Sequence, residues 1–261
     1  MKEYNKPSLK KSFGQHLLTR AGLLQRIADV AADHDVPNLL EVGPGMGALT
    51  QHLLLKNKHF LAVEADWEMQ QYLLDSGILQ PDQLISADVL RIDFTKLFGG
   101  EPFILCGNFP YNISSQILMN SLHHADRIPV FAGLFQQELA QRITAPFGSR
   151  AYGGISVLTQ LVYHPRKCFD IDPSAFRPPP KVNSSMLCLL RREDRPDAQS
   201  FTGIQKLVRH AFQYRRKTLR NNLKSYVRDP GLLADPYFEL RAEAIPPEAF
   251  PDLWRRLTKT S

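Results

Sequence analysis

Cysteine is scarce in this chain. Only Cys106, Cys168 and Cys188 occur among 261 residues; they lie far apart and none belongs to a Cys-x-x-Cys pair. A disulfide framework and a cysteine-based zinc site are therefore not expected, and the thiols read as buried and reduced, as in a cytosolic protein. No apolar run approaches the roughly 18 residues of a membrane span. The first residues lack an apolar signal core; Lys2, Lys6, Lys10 and Lys11 make them polar and basic, so a cytoplasmic location is expected. Internal repeats and low-complexity tracts are absent as well. One further absence is local: from Phe201 to Arg228 there is no acidic residue.

What remains is an ordinary globular composition, 43% apolar with a net charge of +6, which allows an anionic partner without requiring one. The length suits one large domain plus a small one. Apolar runs at Leu39–Val42, Phe60–Val63, Gln83–Ser86, Phe103–Gly107, Pro129–Phe135, Cys168–Ile171 and Ser184–Leu190 read as strands. Helical spacing appears at Leu23, Leu24, Ile27, Ala28 and Ala31, with Thr19 as the expected cap, and again after Ser114, over Gln136–Thr144 and over Ile155–Tyr163. Strand and helix alternate, so a mostly parallel α/β sheet covered on both faces is expected. Near Asp194–Ala198, Asp and Pro mark a linker, which divides residues 1–194 from a small, helical, basic segment at 195–261.

The strand ends carry the chemistry. The first strand runs into Gly43-Pro44-Gly45-Met46-Gly47, a turn through which backbone can approach a ligand closely, at the start of a helix. The second ends in Glu64, about 20 residues beyond the first glycine, where a ribose-binding acid sits in nucleotide-binding α/β units. The third ends in Ala87-Asp88. The fourth ends in Asn108-Phe109-Pro110-Tyr111. Asn offers a side-chain acceptor, Pro has no N–H, and Tyr can stack on a base, so this corner can grip a ring-bound amine. By itself it reads equally well as a strand-ending turn. Ligands of open α/β sheets gather outside the carboxyl ends of the strands, so all four elements are expected around one crevice. Phe13-Gly14-Gln15-His16 reads either as a bend closing over that crevice or as an ordinary loop.

The acid-free stretch contains Lys206, Arg209, Arg215, Arg216, Lys217, Arg220, Lys224 and Arg228, interleaved with apolar Phe212, Leu219 and Leu223. Charge of one sign over that length fits a phosphate-backbone footprint better than an ordinary solvated face.

Together these stretches resemble the ribosomal RNA adenine N6,N6-dimethyltransferases. The resemblance rests on Phe13-Gly14-Gln15-His16-Leu17-Leu18, Glu41-Val42-Gly43-Pro44-Gly45, Glu64, Asp88, Asn108-Phe109-Pro110-Tyr111-Asn112-Ile113-Ser114 and Pro178-Pro179-Pro180-Lys181-Val182. It implies a class I S-adenosylmethionine-dependent methyltransferase, with a Rossmann-like, mostly parallel seven-stranded sheet and a small C-terminal helical domain. It implies S-adenosylmethionine held by His16, Leu18, Gly43, Gly45, Glu64, Asp88 and Asn108, and no metal. A flipped adenine would be sandwiched by Tyr111 and Phe176, with Asn108 and Pro110 accepting from its N6 protons. Phe212–Leu223 and Tyr152–Val157 look like the housekeeping branch, which acts on two adjacent adenines near the 3′ end of 16S rRNA in the small ribosomal subunit. Arg215, Arg216, Lys217, Arg220 and Lys224 would then bind RNA, and the protein would act as a monomer. The large-subunit (23S) resistance branch and a non-catalytic RNA-binding assembly factor are the alternatives. DNA adenine methyltransferases usually have Pro where Phe109 stands. Two positions depart from the family pattern: His16 replaces Asn, and Phe109 replaces Leu or Ile and is expected to narrow the target pocket.

Overall fold

The apolar runs become strands because alternating helices bury both of their faces. The computed structural model describes residues 7, 16–56, 58–227 and 229–258; Phe13-Gly14-Gln15 and Arg228 lie outside the described residues. In chain order the strands are β1 (Leu17–Leu18), β2 (Asn38–Val42), β3 (His59–Glu64), β4 (Leu84–Ser86), β5 (Phe103–Gly107), β6 (Val130–Gln136), β7 (Tyr163–Ile171), β8 (Phe176–Arg177) and β9 (Ser184–Arg191). The helices are α1 (Ala21–Ala32), α2 (Thr50–Leu54), α3 (Trp67–Asp75), α4 (Ser114–His123), α5 (Gln137–Ile143), α6 (Gly154–Val162), α7 (Ala198–Ala211), α8 (Leu219–Leu223) and α9 (Phe250–Thr258).

Seven strands form one sheet in the order β4-β3-β2-β5-β6-β9-β7. The pairs β2–β3, β2–β5, β3–β4 and β5–β6 are parallel, and β6–β9 is antiparallel. Every residue of β2 and β5 is buried, as expected of strands covered on both faces. The chain builds outward from β2 through β3 to β4, then returns to place β5 on the other side of β2. That reversal is a topological switch point, where loops on either side diverge and leave a crevice. The glycine turn after β2 and the Asn108 loop after β5 flank it.

The chain forms two compact units, one of residues Met1–Ala140 with Arg166–Leu190, the other of Gln141–Pro165 with Arg191–Ser261. The second therefore gains α6 and the loop before it, which the linker near Asp194 does not reveal. The reason is packing within that unit. Val157, Leu158, Leu161 and Val162 of α6 are buried, and the Gly154 Cα lies against Val208 of α7, where an added Cβ would sit 3.4 Å from its methyl. Tyr152 stacks edge-on against Phe212 at 5.9 Å and donates its hydroxyl to the Ile245 carbonyl at 2.9 Å.

Thr19 does not cap α1. Arg20 holds the cap position, and Thr19 instead donates from both its N–H (3.0 Å) and its hydroxyl (3.1 Å) to the Ala175 carbonyl. That bond sits next to the short antiparallel pairing of β1 with β8, in which Leu17 faces Arg177 and Leu18 faces Phe176.

Candidate active site

A cavity of about 400 Å³ opens at the switch point, lined by residues that include His16, Gly43, Gly45, Glu64, Asp88, Asn108, Pro110 and Tyr111. The structure thus brings together the glycine turn, both acids and the Asn108 loop from four strand ends. Gly43 and Gly45 have φ of +68° and +56°, left-handed conformations that side chains rarely adopt. A Cβ on Gly45 would stand 3.2 Å from a Leu17 methyl. The turn can therefore pass close to a ligand only because both residues are glycine.

Glu64 is held by backbone. Its Oε2 accepts from the Gly45 N–H at 3.1 Å, and its Oε1 accepts from the N–H groups of Ala65 and Asp66, each at 2.9 Å. Burial pushes this carboxyl up from its ordinary range, and the three donors pull it back. A carboxylate offers about four lone-pair positions, so Oε2 keeps capacity for a hydroxyl donor. Asp88 stands exposed on the cavity rim, its Oδ1 accepting from the Leu90 N–H at 3.0 Å. Apolar Val63, Val89, Leu90 and Ile113 complete the wall. Val63 ends the second strand run and Ile113 belongs to the Asn108 motif, whereas Val89 and Leu90, directly after Asp88, carry no sequence signal of their own.

The Asn108 loop is tied down. Asn108 Nδ2 donates to the His16 carbonyl at 2.6 Å, which commits the amide nitrogen and leaves Oδ1 as an acceptor. The Pro110 carbonyl accepts from Ile113 N–H at 3.1 Å and retains a second lone pair. The Tyr111 hydroxyl shares a short hydrogen bond with Ser184. Burial raises the Tyr111 phenol above its usual value against the opposing Ser184 bond, so the ring serves as a neutral surface. The His16 imidazole stacks on it at 5.5 Å and 28°, while His16 Nδ1 donates to the Pro178 carbonyl at 2.7 Å.

Three expected positions come out differently. Leu18 is buried in the core, so the side chain over Gly45 is that of its neighbour Leu17; successive strand residues point to opposite sides. Phe176, the cross-strand partner of Leu18, is 2% exposed in the same core and does not line the cavity. The ring that stacks on Tyr111 in this structure is that of His16. Phe109 is among the residues that line the cavity, but it is 1% exposed, its ring packed against Phe131 and Phe135 at 5.1 and 5.4 Å.

In the second unit, the five cations expected to bind RNA fall into two groups. Arg215 donates to the carbonyls of Arg150 (2.7 Å) and Tyr152 (3.4 Å) and lies 3.6 Å from Glu243. Arg220 donates to the carbonyls of Leu233 (2.9 Å) and Ala234 (3.2 Å) and pairs with Glu239 at 2.6 Å. Arg216, Lys217 and Lys224 are exposed, and Lys217 lies over the Tyr214 ring at 4.8 Å. The turn that presents them is fixed by buried Asn222, whose Nδ2 donates to the Ala211 and Tyr214 carbonyls at 2.7 and 3.1 Å.

The cavity's polar groups are chiefly acceptors: two carboxylates, an amide oxygen and a carbonyl. They suit a ligand rich in N–H and O–H donors and carrying positive charge. S-adenosylmethionine, with its amine, diol, ammonium and sulfonium, fits that description. Residues 6–234 match the family model described as ribosomal RNA adenine dimethylase. The chain is 41% identical to the ribosomal RNA small subunit methyltransferase A of Phocaeicola vulgatus over 94% of this chain and 88% of that protein. It is 40% identical to the protein of the same description from Porphyromonas gingivalis, over 92% and 94%. Among solved structures, a dimethyladenosine transferase from Plasmodium falciparum superposes with a TM-score of 0.73 at 24% identity, covering 91% of this chain and 96% of that one. The 23S rRNA methyltransferase ErmE gives 0.65 at 22%, covering 93% and 100%. Both structural likenesses concern the fold.

Proposed function

This chain belongs to the ribosomal RNA adenine dimethylase family, and from that premise we propose that it dimethylates the N6 amines of two adjacent adenines in the 3′-terminal hairpin of 16S rRNA, within the small ribosomal subunit. It is an S-adenosylmethionine-dependent rRNA adenine dimethyltransferase. The choice of the small subunit is supported by about 40% identity, along nearly the whole chain, to proteins described as small subunit methyltransferases. The observation that carries the chemistry is the meeting of Glu64, Asp88, Asn108 and Tyr111 at one cavity.

When bound, the cofactor supplies an electrophilic methyl group. Glu64 would hold its ribose, Asp88 its adenine amine, and the glycine turn would pass its methionine part. A target adenine stacked in a helix cannot present its amine, so it enters the cavity flipped out. Tyr111 offers the stacking face, and His16 must yield that face to the base. Asn108 Oδ1 and the Pro110 carbonyl accept from the two N6 protons and turn the nitrogen lone pair, otherwise delocalised into the ring, toward the methyl. This is catalysis by positioning, a source of up to roughly 7–11 kcal/mol. No strong base is needed, because the nitrogen becomes acidic only after it is methylated and its proton can pass to water. Phe176 acts from the core, backing β1 and β8. Arg216, Lys217 and Lys224 supply phosphate contacts in the second unit. The protein is read as a cytoplasmic monomer; among the described residues no helix is long and apolar enough to cross a membrane.

The test is transfer of tritiated methyl groups to under-methylated small subunits, to large subunits and to naked rRNA, followed by nucleoside analysis. The expected result is N6,N6-dimethyladenine at two adjacent positions of the small subunit, weak transfer to naked rRNA and none to large subunits. Methylation of a single large-subunit adenine would overturn the substrate assignment.

A further inference from the structure

The loop that carries Asn108 and Pro110 is held at three points, and the middle one is a ring. Asn108 is tied to His16 and Tyr111 to Ser184. Between them Phe109, 1% exposed, sends its side chain onto β6 against Phe131 and Phe135. The room for it comes from two glycines, Gly107 of β5 and Gly133 of β6, which are direct partners in the parallel register. A Cβ on Gly133 would collide with the Phe109 ring, 2.8 Å from its Cζ, and stand 2.6 Å from the Gly107 carbonyl oxygen. A Cβ on Gly107 would meet the Val42 carbonyl oxygen of β2 first, at 2.5 Å, and would sit 3.3 Å from the same ring. Neither glycine has positive φ, so it is the space they leave, and not backbone freedom, that the ring uses.

We propose that Phe109 and Gly133 form a ring-in-notch pair that sets the height of the catalytic loop, which makes both of them positioning residues for methyl transfer. The proposal rests on the reading that Asn108 and Pro110 grip the target amine. Phe109 is covalently between those two acceptors. Protein interiors are close-packed and transmit displacement instead of absorbing it. A ring lifted from the notch therefore carries Asn108 Oδ1 and the Pro110 carbonyl with it. Glu64 and Asp88, the groups assigned to the cofactor's ribose and adenine, stand at the ends of β3 and β4, away from the notch, so cofactor affinity should be largely spared although Asn108 moves.

The experiment measures kcat and KM for transfer to small subunits, and cofactor affinity by calorimetry, in Phe109→Leu, Phe109→Ala, Gly133→Ala and Gly133→Ala/Phe109→Ala. Gly133→Ala should lower kcat about 10²-fold, the scale of an ångström-sized misplacement. Phe109→Ala should lower it comparably, and Phe109→Leu should retain most of the rate. Cofactor affinity should stay within about twofold throughout, as expected of a group acting on positioning alone. In the double variant the ring contact is gone and only the 2.6 Å approach of the added Cβ to the Gly107 carbonyl oxygen remains, so the combined loss should fall well below the product of the two single losses. Multiplying losses, wild-type kcat in Phe109→Ala, or cofactor affinity falling in step with kcat would each overturn the proposal. Should Gly133→Ala fail to fold, Phe109→Ala against Phe109→Leu decides alone: a rate restored by leucine supports the pairing, and equal rates overturn it. Wild-type protein inactive on small subunits would remove the functional reading itself, an outcome distinct from any of these.

Discussion

At the cavity, each polar group that the chemistry uses is already held by the protein: Asn108 by the His16 carbonyl, Glu64 by three backbone N–H groups, Tyr111 by Ser184. In the basic turn between α7 and α8 only some charges are held. Arg215 and Arg220 clamp carbonyls elsewhere in the same unit, those of Arg150, Tyr152, Leu233 and Ala234, while Arg216, Lys217 and Lys224 extend into solvent. On the proposed function, the difference follows from what each region would recognise. Aiming a lone pair at a methyl group tolerates little angular freedom, so the acceptors are preorganised. A phosphate backbone is a line of charge, and a flexible cation neutralises it from many positions. One region is built on geometry, the other on charge.

The largest expected effects test the geometric region from its two ends. Asn108→Ala should lower transfer by at least about 10²-fold while subunit binding persists, because it removes an acceptor at the amine and no phosphate contact. Glu64→Ala should weaken cofactor binding about tenfold to a hundredfold, the range for a hydrogen bond to a charged group. Steady-state transfer on small subunits and calorimetry with the cofactor separate the two. Robust transfer by the Asn108 variant would overturn the mechanism, and wild-type affinity in the Glu64 variant would overturn the ribose assignment.

The sequence made the geometric region legible because residue type and strand end coincide there. Glu64, Asp88 and Asn108 each follow an apolar run, and a parallel sheet brings such ends together. What it could not show depends on partners distant in the chain. Whether β1 turns Leu17 or Leu18 to the cavity depends on its pairing with β8. Phe176 reads as a stacking residue until its core neighbours are seen. Phe109 reads as a bulky intruder unless Gly133 is known to lie beneath it. Residues Gln141–Pro165 join the second unit because α6 packs on α7, and an apolar helix reads the same wherever it docks. In the basic segment residue type carries even less, since an arginine that clamps a carbonyl and one that waits for phosphate are the same letter.

That ambiguity yields the next prediction. Replacing Arg216, Lys217 and Lys224 with Ala should reduce the salt dependence of small-subunit binding, by about one unit of slope per residue, with no change in Tm. Arg215→Ala and Arg220→Ala should instead cost stability, about 1 kcal/mol each after allowance for their partial exposure. In a protein of this size that is a Tm loss of roughly 2–4 °C apiece. Binding at graded salt and thermal melts of both sets would check it. If the clamping pair carries the salt slope and the exposed trio carries the Tm, the division of the turn is wrong.

A pH-dependent effect concerns Glu41, a residue of the glycine-turn motif to which the sequence assigns no role. It lies in β2 beneath the glycine turn, 1% exposed, and its Oε2 accepts from Thr50 Oγ1 at 2.7 Å. Burial pushes its carboxyl up to about 8; the Thr50 bond opposes this and the nearby Glu64 charge adds to it. In the unfolded chain the same group titrates near 4.5. Between those values the folded protein holds a proton that the unfolded chain has released. Its contribution is therefore fully present at low pH and is lost as pH rises toward about 8. Glu41→Gln keeps an oxygen for Thr50 and cannot ionise. The Tm of this variant should match wild type near about pH 5 and exceed it by several degrees near about pH 8.5. Arg216→Ala, at an exposed position, offers the control: its Tm difference from wild type should stay flat over the same range. Parallel melting curves for wild type and Glu41→Gln would show that burying Glu41 in β2 carries no such penalty, and that burial does not set its charge apart from the solvated cations of the turn.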